Sequence, residues 1–261
     1  MRSLNIAATG MLAQQLNVEV ISNNIANMNT TAYQRRRAEF QDLLYQNIRS
    51  VGATSSSDGE VVPSGAQVGL GVRTAAVYRI TQQGNLVSTE NTFDLAIQGE
   101  GYFQIEMPNG DIAYTRAGSF QLSPTGIIVT ADGNRVLPGI TIPNNATDVT
   151  INASGEVLVK TPGAVAPTIV GQLQLAVFSN EAGLNPVGDN LMEETPASGA
   201  PVTGVPGTDG FGTMRQGFLE TSNVNVVTEI TNLITAQRAY ELNSKVIQTS
   251  DEMMSTLTQL R

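Results

Sequence analysis

Residues 21–37 read ISNNIANMNTTAYQRRR, an apolar helix pattern that runs into asparagines and threonines and then into three consecutive arginines. Upstream, alternating steps of three and four touch Leu4, Ala7, Met11, Gln14, Val18, Ile21, Ile25 and Met28, all apolar except Gln14. That spacing draws a heptad-like seam along one face of a helix. Ser3 is the expected N-cap. Asn27, Asn29, Thr30 and Thr31 are residue types that leave a helix and enter a turn. The polar break is thus expected to stop the helix.

The other end of the chain mirrors this pattern. From Val226 the same stepping meets Ile230, Leu233, Gln237, Tyr240, Ser244, Ile247, Asp251 and Met254, and a second stripe of Ala239, Leu242, Val246, Met253 and Leu260 lies beside it. No Gly or Pro occurs from Phe218 to Arg261, which allows a helix of about nine turns. An antiparallel pair within one chain is the simplest arrangement. Burying seven seam side chains yields roughly 10–20 kcal/mol at about 1.5–3 kcal/mol each. Ordering ~25 backbones costs on the order of 25–50 kcal/mol before hydrogen bonds are credited. One pair is marginal, so the helices are expected to form a terminal coiled coil that also packs against other copies.

Between the ends the period changes from 3.6 to 2. Val72, Thr74, Ala76, Tyr78 and Ile80 alternate with polar or small neighbours, as a half-buried strand does. Residues 101–139 read as a meander turning at Pro108-Asn109-Gly110, Ser123-Pro124-Thr125-Gly126 and Ala131-Asp132-Gly133. Residues 149–160 and 172–180 continue the strand pattern, and 186–217 reads as loop-heavy. The expected fold is α+β, an antiparallel β-rich body inserted between N- and C-terminal helices that pair. Expected domains are 1–30 with 225–261 (helical), 31–70 (an extended connector or hairpin arm) and 71–224 (β body). The polar run Ser50–Gly59, followed by Pro63 and Gly65, is too long for a simple connector. It is expected to reach neighbouring subunits.

Composition excludes much else. The chain has 261 residues, no Cys, no His and no Trp, so the commonest general base and metal ligand is missing. Glu193-Glu194 and Asp251-Glu252 are adjacent carboxylates, but sequence neighbours do not flank a bond for acid–base work. Gly69-Leu70-Gly71 and Gly99-Glu100-Gly101 open no helix within a βαβ unit and read as turn or bulge glycines. No catalytic, cofactor-binding or metal-ligating residue is expected. Arg2, Arg35, Arg36 and Arg37 stand against Glu19 in residues 1–38, leaving −12 for the rest of a chain whose net charge is −9. An acidic body argues against a nucleic-acid groove. No stretch approaches the ~18 apolar residues of a membrane span, and the N-terminus has no continuous apolar signal region. Arg35, Arg36 and Arg37 form the only basic cluster and read as a solvated or subunit-contacting face.

These stretches carry a resemblance. Residues 22–46, with Asn23, Asn24, Asn27, Thr31 and Tyr33 in the signature turn, resemble the N-terminal signature of flagellar rod and hook axial proteins. Residues 220–260, including Gln237-Arg238-Ala239-Tyr240, are similar to that family's C-terminal helix, and FDLAIQGEGYFQI (93–105) and YTRAGSF (114–120) to its β-domain motifs. Ala32 stands where relatives commonly have Gly, which speaks against a positive φ there. Residues 40–73 are similar to the segment that marks distal rod over hook subunits. The resemblance implies a structural subunit of the distal rod, polymerised into a rigid helical tube around an export channel. It also implies export by the flagellar type III apparatus. The implied partners are further copies of the chain, proximal rod proteins, the hook protein and surrounding ring proteins, without nucleic acid or membrane insertion. Another axial subunit, proximal rod or hook, is the alternative. A cell-wall enzyme would need paired carboxylates and aromatic platforms, and a monomeric adhesin would not need two seam-bearing helices.

Overall fold

A computed structural model describes residues 2–49, 64–163 and 166–259. They fall into two compact units, one of Met1–Ala26, Arg36–Arg79 and Asn225–Arg261, the other of Asn27–Arg35 and Ile80–Val224.

In the first unit the two Gly- and Pro-poor ends form α1 (Arg2–Ala26) and α2 (Val226–Gln259), which pack along each other. Helix α1 already runs from Arg2, so Ser3 does not cap it; its hydroxyl lies 3.4 Å from that of Ser250 instead. Helix α2 begins later than its Gly- and Pro-free run permits, because Asn225 ends the preceding segment. The Asn225 side chain accepts from Thr228 N at 3.2 Å and its carbonyl from Glu229 N at 3.0 Å, an N-cap in the ordinary sense.

Among the described residues four strands complete this unit: β1 (Arg36–Asp42), β2 (Tyr45–Arg49), β3 (Ala66–Gly69) and β4 (Val72–Arg79). Antiparallel pairing of β1 with β4 and β2 with β3 makes residues 36–49 and 66–79 a two-stranded ribbon. The run Ser50–Gly59 and Pro63 lie outside the described residues. The half-buried alternation expected for β4 is missing: Val77 is 42% exposed and only Arg79 is buried. A two-stranded ribbon has no second layer of its own to cover a face.

The second unit is the β body. Strands β5 (Leu86–Ser88), β6 (Leu95–Gln98), β7 (Tyr102–Glu106) and β8 (Ile112–Thr115) lead it. A tight hairpin joins β7 to β8, but residues 101–139 are not one meander. The short strands Gln121–Leu122, Ile128–Val129 and Arg135–Val136 form a second ladder, which returns to β7 through Val136 opposite Ile105. Leu175–Val177 shares that same edge, with Leu175 opposite Phe103. Residues 186–217 hold more strand than their Pro and Gly content suggests, including Leu191–Glu193, Val202–Gly204 and Thr213–Gln216. The core is built from alternating inward residues: Phe103 and Phe120 meet edge to face at 5.0 Å, with Ile97, Ile105, Val157 and Leu175 fully buried around them.

Two of the turn glycines separate conformational from steric demand. Gly110 and Gly126 both have positive φ, 88° and 81°. A side chain at Gly110 would meet nothing within 4 Å, whereas at Gly126 it would strike the backbone carbonyl of Ile142. Gly110→Val is expected to lower body stability by about 1–2 kcal/mol, and Gly126→Val by clearly more. Equal effects in denaturant melts would contradict this.

Candidate functional site

The contact between α1 and α2 decides how much of each helix surface is left for other contacts. The helices run antiparallel, and three contacts fix their register: Ser3 with Ser250, Gly10 against Asn243, and Asn24 with Glu229. The same register sets Asn17 beside Ala236, which is 2% exposed. A methyl group at Gly10 would come within 2.9 Å of Asn243 Nδ2. The line of contact is therefore made of small and polar residues, which lets the backbones approach closely.

The seam residues named from sequence are divided by this arrangement. Ala7 and Ile21 are buried, while Leu4, Met11, Gln14, Val18 and Ile25 are half-buried. Met28 falls beyond the end of α1 and is 39% exposed. On α2, Leu233, Ile247 and Met254 are half-buried, but Ile230 and Tyr240 are 45% and 43% exposed and Gln237 is exposed too. On α2 the contact line through Glu229, Ala236, Asn243 and Ser250 runs between the two sequence stripes. One stripe flanks it on each side.

At the end of the seam Asn24 acts as a backbone substitute. Its amide donates to Arg36 O at 2.8 Å and to Glu229 Oε2 at 3.4 Å, and its oxygen accepts from Arg36 N at 2.8 Å. Asn24 thereby fixes the start of β1 against α1. Asn23, on the same turn, is exposed.

The remainder of the signature belongs to the β body. Thr30 Oγ1 donates to Asn27 Oδ1 at 3.1 Å, and half-buried Thr31 leads into Ala32, whose N–H donates to Glu220 O at 2.9 Å. Asn223 accepts from Arg35 N at 2.7 Å and donates to the carbonyls of Ile80 and Gln82, while its own N–H reaches Tyr33 O. The polar stretch is more than a helix stop; it stitches the chain to residues 80–82 and 220–223. Ala32 has φ 55°, so the expectation against a positive φ is corrected: the Glu220 contact holds Ala in the left-handed region. That conformation costs an L-residue about 1–2 kcal/mol, partly matched by the entropy a glycine loses. Ala32→Gly is expected to stabilise the body by up to about 1 kcal/mol, and a lowered melting temperature would contradict the strain.

Sequence reasoning missed one pair altogether. Arg116 Nε meets Glu220 Oε2 at 2.9 Å, and both side chains are at most 5% exposed. Arg116 also donates to Gly99 O at 2.9 Å and Gly101 O at 3.1 Å, and Glu220 Oε1 accepts from Gly84 N at 2.9 Å. The Gly99-Glu100-Gly101 turn is thus held by its carbonyls. The arginine inside YTRAGSF was the visible signal.

The ribbon adds exposed apolar surface: Leu44 is 83%, Tyr45 56% and Ile48 63% exposed. The Asp42 carboxylate raises the Tyr45 pKa, by hydrogen bonding first and by charge second. Arg35 and Arg36 are half-buried and Arg37 is exposed. Among the described residues the ion pairs are Arg116–Glu220 and Arg135–Glu106, so this basic cluster has none. Among the same residues no helix is long and apolar enough to cross a membrane.

Three family models match the chain: "Flagella basal body rod protein" over residues 4–34, "Flagellar hook protein FlgE/F/G D1 domain" over 96–159 and "Flagellar basal body rod FlgEFG protein C-terminal" over 215–260. Helical ends and β body together define a flagellar axial subunit. The flagellar basal-body rod protein FlgG of Caulobacter vibrioides is 60% identical over 261 residues, covering 100% of both chains. That of Agrobacterium fabrum is 56% identical over 99% of this chain and 98% of its own, and that of Bacillus subtilis 39% identical over 100% and 99%. The chain belongs to the FlgG family of flagellar basal-body rod proteins, and its place is the flagellar basal body.

Proposed function

We propose that the chain is a structural subunit of the distal rod, polymerised into a rigid helical tube that surrounds an export channel and carries torque across the periplasm, with no catalytic step of its own. One observation carries this reading: α2 exposes apolar side chains on both sides of its seam. Ile230 and Tyr240 on one side and Leu242, Val246 and Met253 on the other are between 43% and 63% exposed. Contiguous apolar surface of this kind marks an interaction site, and copies stacked side by side would bury it.

In this reading residues 1–30 and 225–261 line the inner tube, 31–70 reaches to neighbours as an arm, and 71–224 forms the outer body. The exposed Leu44, Tyr45 and Ile48 on the ribbon support the arm. Further copies are the first partners, followed by proximal rod proteins, the hook protein and surrounding rings, after export by the flagellar type III apparatus. Concentrated protein should form straight tubes in electron micrographs; curved filaments would favour a hook subunit, and persistent monomers would overturn the proposal.

The basic cluster fits the same scheme. Arg37 is exposed, the cluster makes no ion pair among the described residues, and residues 80–224 carry fourteen acidic side chains against four basic ones. Arg35–Arg37 would meet carboxylates of a neighbouring copy, where such pairs count for more than at an open surface. Changing all three arginines to Gln is expected to weaken assembly at least tenfold while leaving the β-body melt unchanged. Unaltered polymerisation at both low and high salt would contradict it.

A further inference from the structure

We infer that the ribbon is strapped to α1 and folds only upon it, so that arm and helix order as one unit. Two side chains of α1 hold the ends of the strap. Asn24 brackets Arg36 at the start of β1, accepting from its N–H and donating to its carbonyl, both at 2.8 Å. Thr9 Oγ1 accepts from Val72 N, at the start of β4, at 3.4 Å. The neighbouring Gly71 has φ 127°, and a side chain there would strike the Thr9 hydroxyl. Glycine permits both the conformation and the close approach.

The spacing of the two anchors fits both elements. Thr9 and Asn24 are fifteen residues apart on α1, about 22 Å along the helix axis. Arg36 and Asp42, the residue that pairs with Val72, span about 20 Å of extended strand. At about 100° per residue the two anchors also fall within about 60° of each other around the helix. Ala13 and Val20 lie between them on that face, and both are buried. Ala7 and Ile21, also buried, lie about 100° further round, on the face that meets α2. Helix α1 thus has two covered faces, one under the ribbon and one under α2. Asn24 stands on their border, since the amide that holds Arg36 O also reaches Glu229 Oε2 at 3.4 Å. A two-stranded ribbon is marginal by itself, and α1 supplies the layer it lacks. Through Asn24, docking of α2 on α1 is passed to the root of the arm.

Residue-resolved hydrogen exchange on the full chain, at low denaturant, tests the coupling. Amides of α1 and those of residues 36–43 and 70–79 should open together, with one opening free energy and one denaturant slope. The anchors should also act at a distance. Thr9→Val, which removes the acceptor for Val72 N, should speed exchange at Arg36, the far end of the strap. Asn24→Asp sets a second carboxylate against Glu229 and should speed exchange at Leu43 and Val72 by about 10- to 100-fold. Adding Glu229→Gln should restore most of that protection, with the β body unmoved throughout. A ribbon that stays protected while α1 exchanges freely, or the reverse, would overturn the inference. So would substitutions whose effects stop at the amides beside them.

Discussion

Replacing Arg116 by Ala should destabilise the β body by about 3–5 kcal/mol, because it strands a buried carboxylate. Glu220 is 3% exposed, and its carboxylate would keep the hydrogen bond from Gly84 N. The carbonyls of Gly99 and Gly101 lose their donor as well. For a unit of this size the loss corresponds to a fall in melting temperature of roughly 10 °C. A shift smaller than about 1 kcal/mol would show that the pair is not a keystone. The paired replacement Arg116→Met with Glu220→Leu should recover much of the loss, since apolar substitutes of similar volume often match a buried ion pair. That recovery distinguishes a stranded charge from simple loss of packing.

The second large effect concerns assembly. Removing residues 1–28 should leave a soluble, folded β body that cannot polymerise. The cut spares Ala32, Tyr33 and Arg35, whose hydrogen bonds to Glu220, Asn223 and Ile80 tie the chain to the body. It takes away α1 and with it one wall of the seam. A truncated chain that still forms tubes would show that α1 is dispensable. Collapse of the β-body melt would show that the two units do not fold separately.

The ends of the chain were legible because helix-permitting residues run long there and a polar cluster stops the first run. The order helix, β body, helix could be read in the same way, since the hydrophobic period changes abruptly. The contact face was not legible. Apolar periodicity draws the eye to Leu4, Met11, Ile230 and Tyr240, whereas the helices meet through Ser3, Gly10, Asn24, Ala236, Asn243 and Ser250. Small residues allow the closest approach, and the larger apolar side chains flank them. A single sequence does not say which apolar stripe faces its own chain and which faces another. Arg116 and Glu220 lie 104 residues apart, and no local pattern connects them. The return of Val136 to Ile105 is likewise set by the closing of the core rather than by any turn residue. Ala32 taught the converse lesson, for residue type argued against a positive φ that a single hydrogen bond to Glu220 maintains.

Ala7 and Ile21 are buried, but most of the larger seam side chains are only half-buried, so the pair offers limited burial to offset the ordering of its backbones, which costs about 1–2 kcal/mol per residue. The helices should accordingly gain most of their stability from neighbouring copies. Hydrogen exchange along α1 and α2, compared between dilute monomer and assembled tube, reads this directly. Rapid exchange in the monomer and strong protection in the tube are expected, with the β body protected in both. Strong protection of both helices in the monomer, unchanged by assembly, would mean a self-contained pair and would contradict assembly through the exposed flanks of α2.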